Sequence, residues 1–290
     1  MNSYNIRKTL KKVVDDWKAT LPDEFTENGG SLSRAIDSVL ITGGAIVSLL
    51  EGNSPNDFDV YFKTEESCKA IANYYSKLER DYDKAVKTYE SAKAAGLAPS
   101  VVPVKPDIFV TWRSSNAISL SNKVQIITRF TGSAEEIHEN FDYMHCMCVY
   151  DYSRNTLILP PDSLECIINH ELRWVNSKFP LCSLLRMNKF IRRGWHINAG
   201  QVVKICLAIN ELDLKNPMVL KEQLLGVDSA YFRQLFRALK DKDEVTVDEI
   251  SAIIDEVFYG NPDSAVFMEP DEIEGEEDAE LDDEDFWKKD

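Results

Sequence analysis

Residues Leu40–Phe62 read LITGGAIVSLLEGNSPNDFDVYF, and four signals follow one another in that stretch. Ser38 to Thr42 is a short apolar run of the kind that forms a buried strand. Gly43 and Gly44 break it. Ala45 to Glu51 has helical character, and Gly52 closes that helix as a C-terminal cap. Asn53 to Asn56 is turn chemistry, and Asp57 to Phe62 alternates as a second strand.

Each signal has a chemical reading and a plainer one. Glycines let a backbone approach a ligand closely, and a helix N-terminus offers amide hydrogens that its own turns do not use. Gly43 and Gly44 therefore form a candidate phosphate seat, although a tight turn needs glycine anyway. Asp57 and Asp59 stand two positions apart, so a strand sets them on one face. Two adjacent carboxylates raise each other's pKa unless a cation lies between them. Mg²⁺ suits such a pair, since it takes one or two carboxylates together with substrate phosphates. The plainer reading is an exposed strand end with two solvated aspartates.

The same residues resemble the first motif of the polymerase-β-type nucleotidyltransferases, and are most similar to the tRNA CCA-adding enzyme and bacterial poly(A) polymerase family. Gly43, Gly44, Leu49, Gly52, Asp57 and Asp59 match without a gap. A second segment, FDYMHCMCVYDYSRNTLILPP, is similar to the family's Arg-Arg-Asp segment, with Asp142 on its aspartate and Tyr150-Asp151 on its closing pair. A third, LLRMNKFIRRGWHI, resembles the family's cationic helix through Arg186, Lys189, Phe190 and Gly194-Trp195. The resemblance implies that Gly43 and Gly44 hold a triphosphate and that Asp57 and Asp59 are catalytic and bind Mg²⁺. It also implies that Asp142, Arg186 and Lys189 contact the substrate. The implied activity is Mg²⁺-dependent transfer of a nucleoside monophosphate from a nucleoside triphosphate to a hydroxyl, with an RNA 3′ end as the expected acceptor.

The departures from that pattern are specific. Val47-Ser48 replaces an Arg-Asp, Asn140 and Phe141 replace two arginines, and Cys146 replaces an asparagine. The base-reading Glu-Asp-x-x-Arg segment is absent from SKFPLCSLLR. Such groups carry most base selectivity, so ordered CCA addition is not the expected reaction. The alternative function is a decayed member of the fold that binds nucleotides or serves in protein interactions. The divergence itself suggests a viral or phage-encoded version.

Around these motifs the expected architecture is α+β: a small mixed β-sheet nucleotidyltransferase head with a helical insertion, then a helical domain and a disordered acidic tail. The expected divisions are 1–36 (helix and loop), 37–160 (head, with the insertion at 64–106), 161–262 (helical) and 263–290 (tail). Strand-like runs fall at Ile108–Trp112, Ala117–Leu120, Val124–Phe130, Tyr143–Tyr150 and Thr156–Leu159. Ile71, Tyr75, Leu78, Tyr82, Ala85, Tyr89 and Ala92 make a heptad seam in the insertion. That seam either packs on its own domain or serves, like the acidic tail, as a protein-binding arm. His145 reads as a satisfied core histidine.

The composition narrows the classes. Hydrophobic residues are 44% of the 290, enough for a sizeable core. The net charge is −16, of which −11 falls in residues 269–290, so the rest is near −5. A balanced body of that kind is not a generic nucleic-acid coater. Six scattered cysteines without a Cys-x-x-Cys pair fit reduced, buried thiols in a cytoplasm-like compartment. No apolar run is long enough to span a bilayer, so no membrane partner is expected.

Overall fold

A computed structural model describes residues 2–26, 35–96, 101–114, 116–224 and 244–259. The predicted acidic tail, with Phe286 and Trp287, lies outside the described residues. The described chain divides into two compact units. One runs to His138 and resumes over Cys146–Pro160, and the other holds Glu139–His145 and the residues from Pro161 onward.

The first unit is built on one mixed sheet. Its strands are β1 (Val39–Thr42), β2 (Phe58–Phe62), β3 (Val110–Arg113), β4 (Ala117–Leu120), β5 (Val124–Thr131), β6 (Val149–Asp151) and β7 (Thr156–Ile158). Their spatial order is β3-β4-β5-β2-β1-β6-β7. Only the β2–β5 pair is parallel; β1 runs antiparallel to both β2 and β6. All four residues of β1 are buried, as a strand between two neighbours and under helices requires.

Helix α1 (Ser3–Lys18) starts at Asn2, whose side chain accepts the Asn5 amide at 2.9 Å, a standard N-cap. It buries Ile6, Leu10, Val14 and Trp17, the face opposite its lysines. Helix α2 (Gly44–Glu51) connects β1 to β2 and ends at Gly52 with φ +83°. The predicted insertion contains one long helix, α3 (Glu65–Ala94), capped by Thr64. Its first part buries Cys68, Ile71, Ala72, Tyr75 and Ser76. None of residues 81–94 is buried. A short helix, α4 (Ala134–His138), follows β5.

The predicted strand over Tyr143–Tyr150 is only partly formed. Met144–Cys146 coils into a 3-10 turn, and Val149–Asp151 alone joins the sheet. Tyr143 instead makes an isolated antiparallel bridge with Trp174 inside the second unit. Residues 139–145 therefore belong to a different packing unit from the strand they precede.

The second unit is mainly helical: α5 (Pro161–Asn169), α6 (Pro180–Arg192), α7 (Ala199–Asn210), α8 (Pro217–Leu224) and α9 (Val247–Tyr259). A two-stranded parallel pair, β8 (Glu171–Leu172) and β9 (His196–Ile197), lies between helices in sequence. Leu181 and Leu185 of α6 pack with Leu220, Leu224 and Val245 in one apolar core. Proline at the first position of α6 suits a helix start, where the missing amide hydrogen is not needed.

Five of the six cysteines are buried, and Cys206 is exposed. Among the described residues no helix is long and apolar enough to cross a membrane.

Candidate functional site

The glycine turn and Asp59 meet in the first unit. Gly43 lies between β1 and α2 with φ +88° and ψ −149°, a backbone conformation that side chains disfavour. A Cβ placed on Gly43 would stand 3.2 Å from Oδ2 of Asp59. The turn and the carboxylate are therefore in direct van der Waals proximity, which the sequence spacing alone could not establish. A Cβ on Gly44 would meet nothing within 4 Å, so the start of α2 is open on that side.

Asp59 is the second residue of β2 and is half-buried, whereas its neighbours Phe58 and Val60 are buried. Alternation sets Asp59 on the face opposite those two side chains. Asp57 immediately precedes the strand and is exposed. Lys123 holds the strand entrance, since its carbonyl accepts the Phe58 amide at 2.8 Å and its Nζ reaches the Pro55 carbonyl at 3.3 Å.

The two glycines are not equivalent. The Gly43 amide donates to the Cys146 carbonyl at 3.1 Å, so it is committed to the fold. Amides in the first turn of a helix have no intrahelical acceptor, and α2 begins at Gly44. The amides of this turn without an intrahelical acceptor are thus those of Gly44 and the residues after it, Ala45 first. Sequence reading passed over Ala45, because a backbone donor leaves no side-chain signal.

Thr42 completes the back of the turn. Its Oγ1 lies 2.7 Å from the Cys148 carbonyl, 3.3 Å from the Cys146 carbonyl and 2.8 Å from Nε2 of His138. His138 is half-buried. Desolvation holds its pKa below the usual value, against an opposing pull from Glu135.

The other predicted residues belong to the second unit. Asp142 is 3% exposed. Its Oδ2 lies 3.3 Å from NH1 of Arg186, an ion pair without hydrogen-bond alignment. Its carbonyl accepts the Val175 amide at 2.8 Å. Asp142 is thus buried beside Arg186 within the second unit. Arg186 and Lys189 are exposed and lie one turn apart on α6, as the i, i+3 spacing requires.

His145 departs from expectation. It is 1% exposed, as a core residue should be, but neither ring nitrogen has a hydrogen-bond partner. The ring is walled by Trp195, Phe190 and Tyr143 at centroid distances of 4.3, 4.6 and 5.9 Å. Burial and then the Arg186 charge push its pKa down to about 3. The aromatic walls bury both ring nitrogens, and the residue sits in the Met144–Cys146 3-10 turn instead of a strand.

Asp57 and Asp59 are the acidic residues at and just before the start of β2. Among the described residues no group of three or more His, Cys, Asp or Glu side chains is arranged to hold a metal. Two carboxylates suit an ion shared with a substrate's phosphates better than a permanently resident one. A recess of about 490 Å³ beside α3, lined by Phe25, Tyr74, Lys77 and Leu78 among others, contains none of the predicted site residues.

A family model described as Gabija anti-defense 2 family protein matches residues 7–170, more than half of the chain. The chain belongs to that family. A curated member, Gabija anti-defense 2 of Bacillus phage SPbetaL7, is 28% identical over 262 residues, covering 88% of this chain. The chain spans 58% of the length of that relative. Among solved structures, a tRNA-processing enzyme in apo form I overlaps 83% of this chain and 58% of its own, at 15% identity and a TM-score of 0.39. A CCA-adding enzyme in apo form I overlaps 81% and 50%, at 14% identity and 0.38. The Thermotoga maritima CCA-adding enzyme complexed with tRNA overlaps 77% and 48%, at 14% and 0.37. Similarity at that level leaves the chemistry to this chain's own residues.

Proposed function

We propose that this chain counters the Gabija defence, as its family name says of its relatives, through a nucleotidyltransferase head. In this reading the head binds a nucleoside triphosphate at the Gly43–Gly44 turn. The observation that carries it is the 3.2 Å approach of the Asp59 carboxylate to the Gly43 Cβ position. That approach supports the reading because a turn glycine before a helix start and a carboxylate stand side by side.

The reaction is transfer of a nucleoside monophosphate to a hydroxyl acceptor, on RNA or on a protein partner. The acceptor oxygen bonds to the α-phosphorus, the bond from that phosphorus to the bridging oxygen breaks, and pyrophosphate leaves. The α2 amides orient the phosphates and stabilise charge on them. Gly43 keeps the turn close to Asp59, and Asp57 and Asp59 would hold Mg²⁺. When bound, that ion offsets the charge of the phosphates and favours attack at phosphorus. Arg186 and Lys189 are cations on α6 of the second unit, offered there to the phosphates of an acceptor.

The test is incubation with Mg²⁺ and each of four α-labelled triphosphates, together with RNA and with Gabija proteins, followed by detection of labelled macromolecule. Asp57→Ala and Asp59→Ala are each expected to reduce labelling by about 10²-fold or more. Full labelling by either variant would move the site elsewhere.

A second reading is favoured by Asn140 and Phe141, which stand where the resembled family has arginines. In it the head binds a triphosphate without turnover, and the anti-defence effect comes from protein contact. Triphosphate binding with no labelled product under any acceptor selects this reading.

A further inference from the structure

We infer that His138 is a positioning residue, which fixes the Gly43–Gly44 turn through the Thr42 hydroxyl; this rests on the triphosphate-binding reading of that turn. The argument begins with proton counting. The Thr42 hydroxyl carries one hydrogen and can accept others. The Cys148 and Cys146 carbonyls, at 2.7 and 3.3 Å, only accept. The hydroxyl hydrogen is therefore spent on a carbonyl, with Cys148 the nearer. His138 Nε2, at 2.8 Å from the same oxygen, must then donate. This assigns the Nε2–H form to the ring.

The surroundings make His138 a rigid donor. Helix α4 is closed at its start by a reciprocal box: the Ser133 amide donates to Glu136 Oε2 at 2.7 Å, and the Glu136 amide to Ser133 Oγ at 3.3 Å. Ile137, 1% exposed, anchors the helix in the core. His138 is its last residue and so reaches Thr42 from a fixed base.

The consequence is local. Thr42 is the last residue of β1 and immediately precedes Gly43. Its hydroxyl and the Gly43 amide bond the same carbonyl, that of Cys146, at 3.3 and 3.1 Å. The entry side of the turn is thus tied to residues 146–148. Loss of the donor leaves Thr42 Oγ1 with only carbonyl neighbours and frees its rotamer beside the phosphate seat. Neither triphosphate nor cation touches His138 in this scheme; it acts through Thr42.

Four variants test this: His138→Gln and Thr42→Ser keep a donor or a hydroxyl at the needed place, and His138→Leu and Thr42→Val remove them. Two readouts are needed, the dissociation constant of Mg·ATP and amide hydrogen exchange across residues 42–47. His138→Leu and Thr42→Val should raise the dissociation constant about tenfold, in line with loss of one hydrogen bond, and speed exchange across the turn. His138→Gln and Thr42→Ser should remain within about twofold of the parent. Wild-type behaviour of His138→Leu, or equal impairment of His138→Gln and His138→Leu, overturns the inference. A parent protein that binds no triphosphate would defeat the proposed function, while the exchange data would still decide the role of His138.

Discussion

At the scale of single residues, the glycine pair separates fold from chemistry. Gly43 combines φ +88° with a Cβ position 3.2 Å from Asp59. Alanine there is both strained and crowded, so Gly43→Ala should lose about 1–2 kcal/mol of stability and displace Asp59. Gly44 has neither constraint. Gly44→Ala should therefore fold and melt as the parent does, yet weaken triphosphate binding by placing a methyl over the open helix start. Thermal melting beside a nucleotide titration distinguishes the two. His145 gives a prediction in pH. Its pKa falls from 6.5 in a solvated chain to about 3 here. Between those values the unfolded chain carries a proton that the folded one refuses, so stability rises with pH across the window and is complete above it. At pH 5 the loss is about 2 kcal/mol. His145→Phe should flatten that slope without loss at pH 7, because it removes two unpartnered nitrogens from an aromatic box. Denaturant melts at pH 5 and pH 7 measure both effects.

At the scale of elements, α3 is two things in succession. Its first part holds Tyr75, whose hydroxyl accepts the Trp17 indole hydrogen at 2.7 Å inside the core. Tyr75→Phe should cost about 1–3 kcal/mol, the penalty for leaving a buried donor unmet. Tyr89, in the part without buried residues, should change stability by less than about 0.5 kcal/mol when replaced by alanine. Urea denaturation of the two variants decides it. The heptad seam was legible from Ile71 to Ala92, but its periodicity could not say which turns lie on the domain, because the same stripe serves a buried and an exposed face. The segment around β1, α2 and β2 was legible nearly residue by residue, since strand, turn glycines and cap each leave a local mark. Residues 143–150 were not. Their alternation suits a strand, yet the chain leaves one packing unit and enters the other within them, and local pattern carries no sign of a change of partner. The inward ring of His145 follows from the same blind spot. His138 was missed for another reason: its value lies in a hydroxyl 96 positions away.

At the scale of the whole molecule, the two units carry different acid-sensitive groups. Asp151 is 5% exposed and receives two 2.8 Å hydrogen bonds from Lys63, with others from Ser153 and the Arg154 amide. Burial alone would raise its pKa; the Lys63 bonds and the other donors outweigh it, and the net shift is downward. Its contribution is present above the ordinary carboxylate range and is lost as pH falls through the lowered value. The second unit, with His145, begins to weaken at milder acidity. Acid unfolding should accordingly show two steps, with near-ultraviolet and tryptophan signals from Trp174 and Trp195 changing before that of Trp17. Lys63→Met should bring the steps together, and a single transition in the parent would contradict the assignment. The interrupted course of the chain also bears on its synthesis. Strand β1 sits between β2 and β6, yet β6 emerges roughly a hundred residues after β1, about 5–20 s later at ordinary translation rates. During that interval the growing chain carries an apolar strand with one side unpaired, a template for adhesion to its neighbours. Ribosome-bound chains whose β6 is still inside the exit tunnel should need a chaperone that those with β6 fully outside it do not.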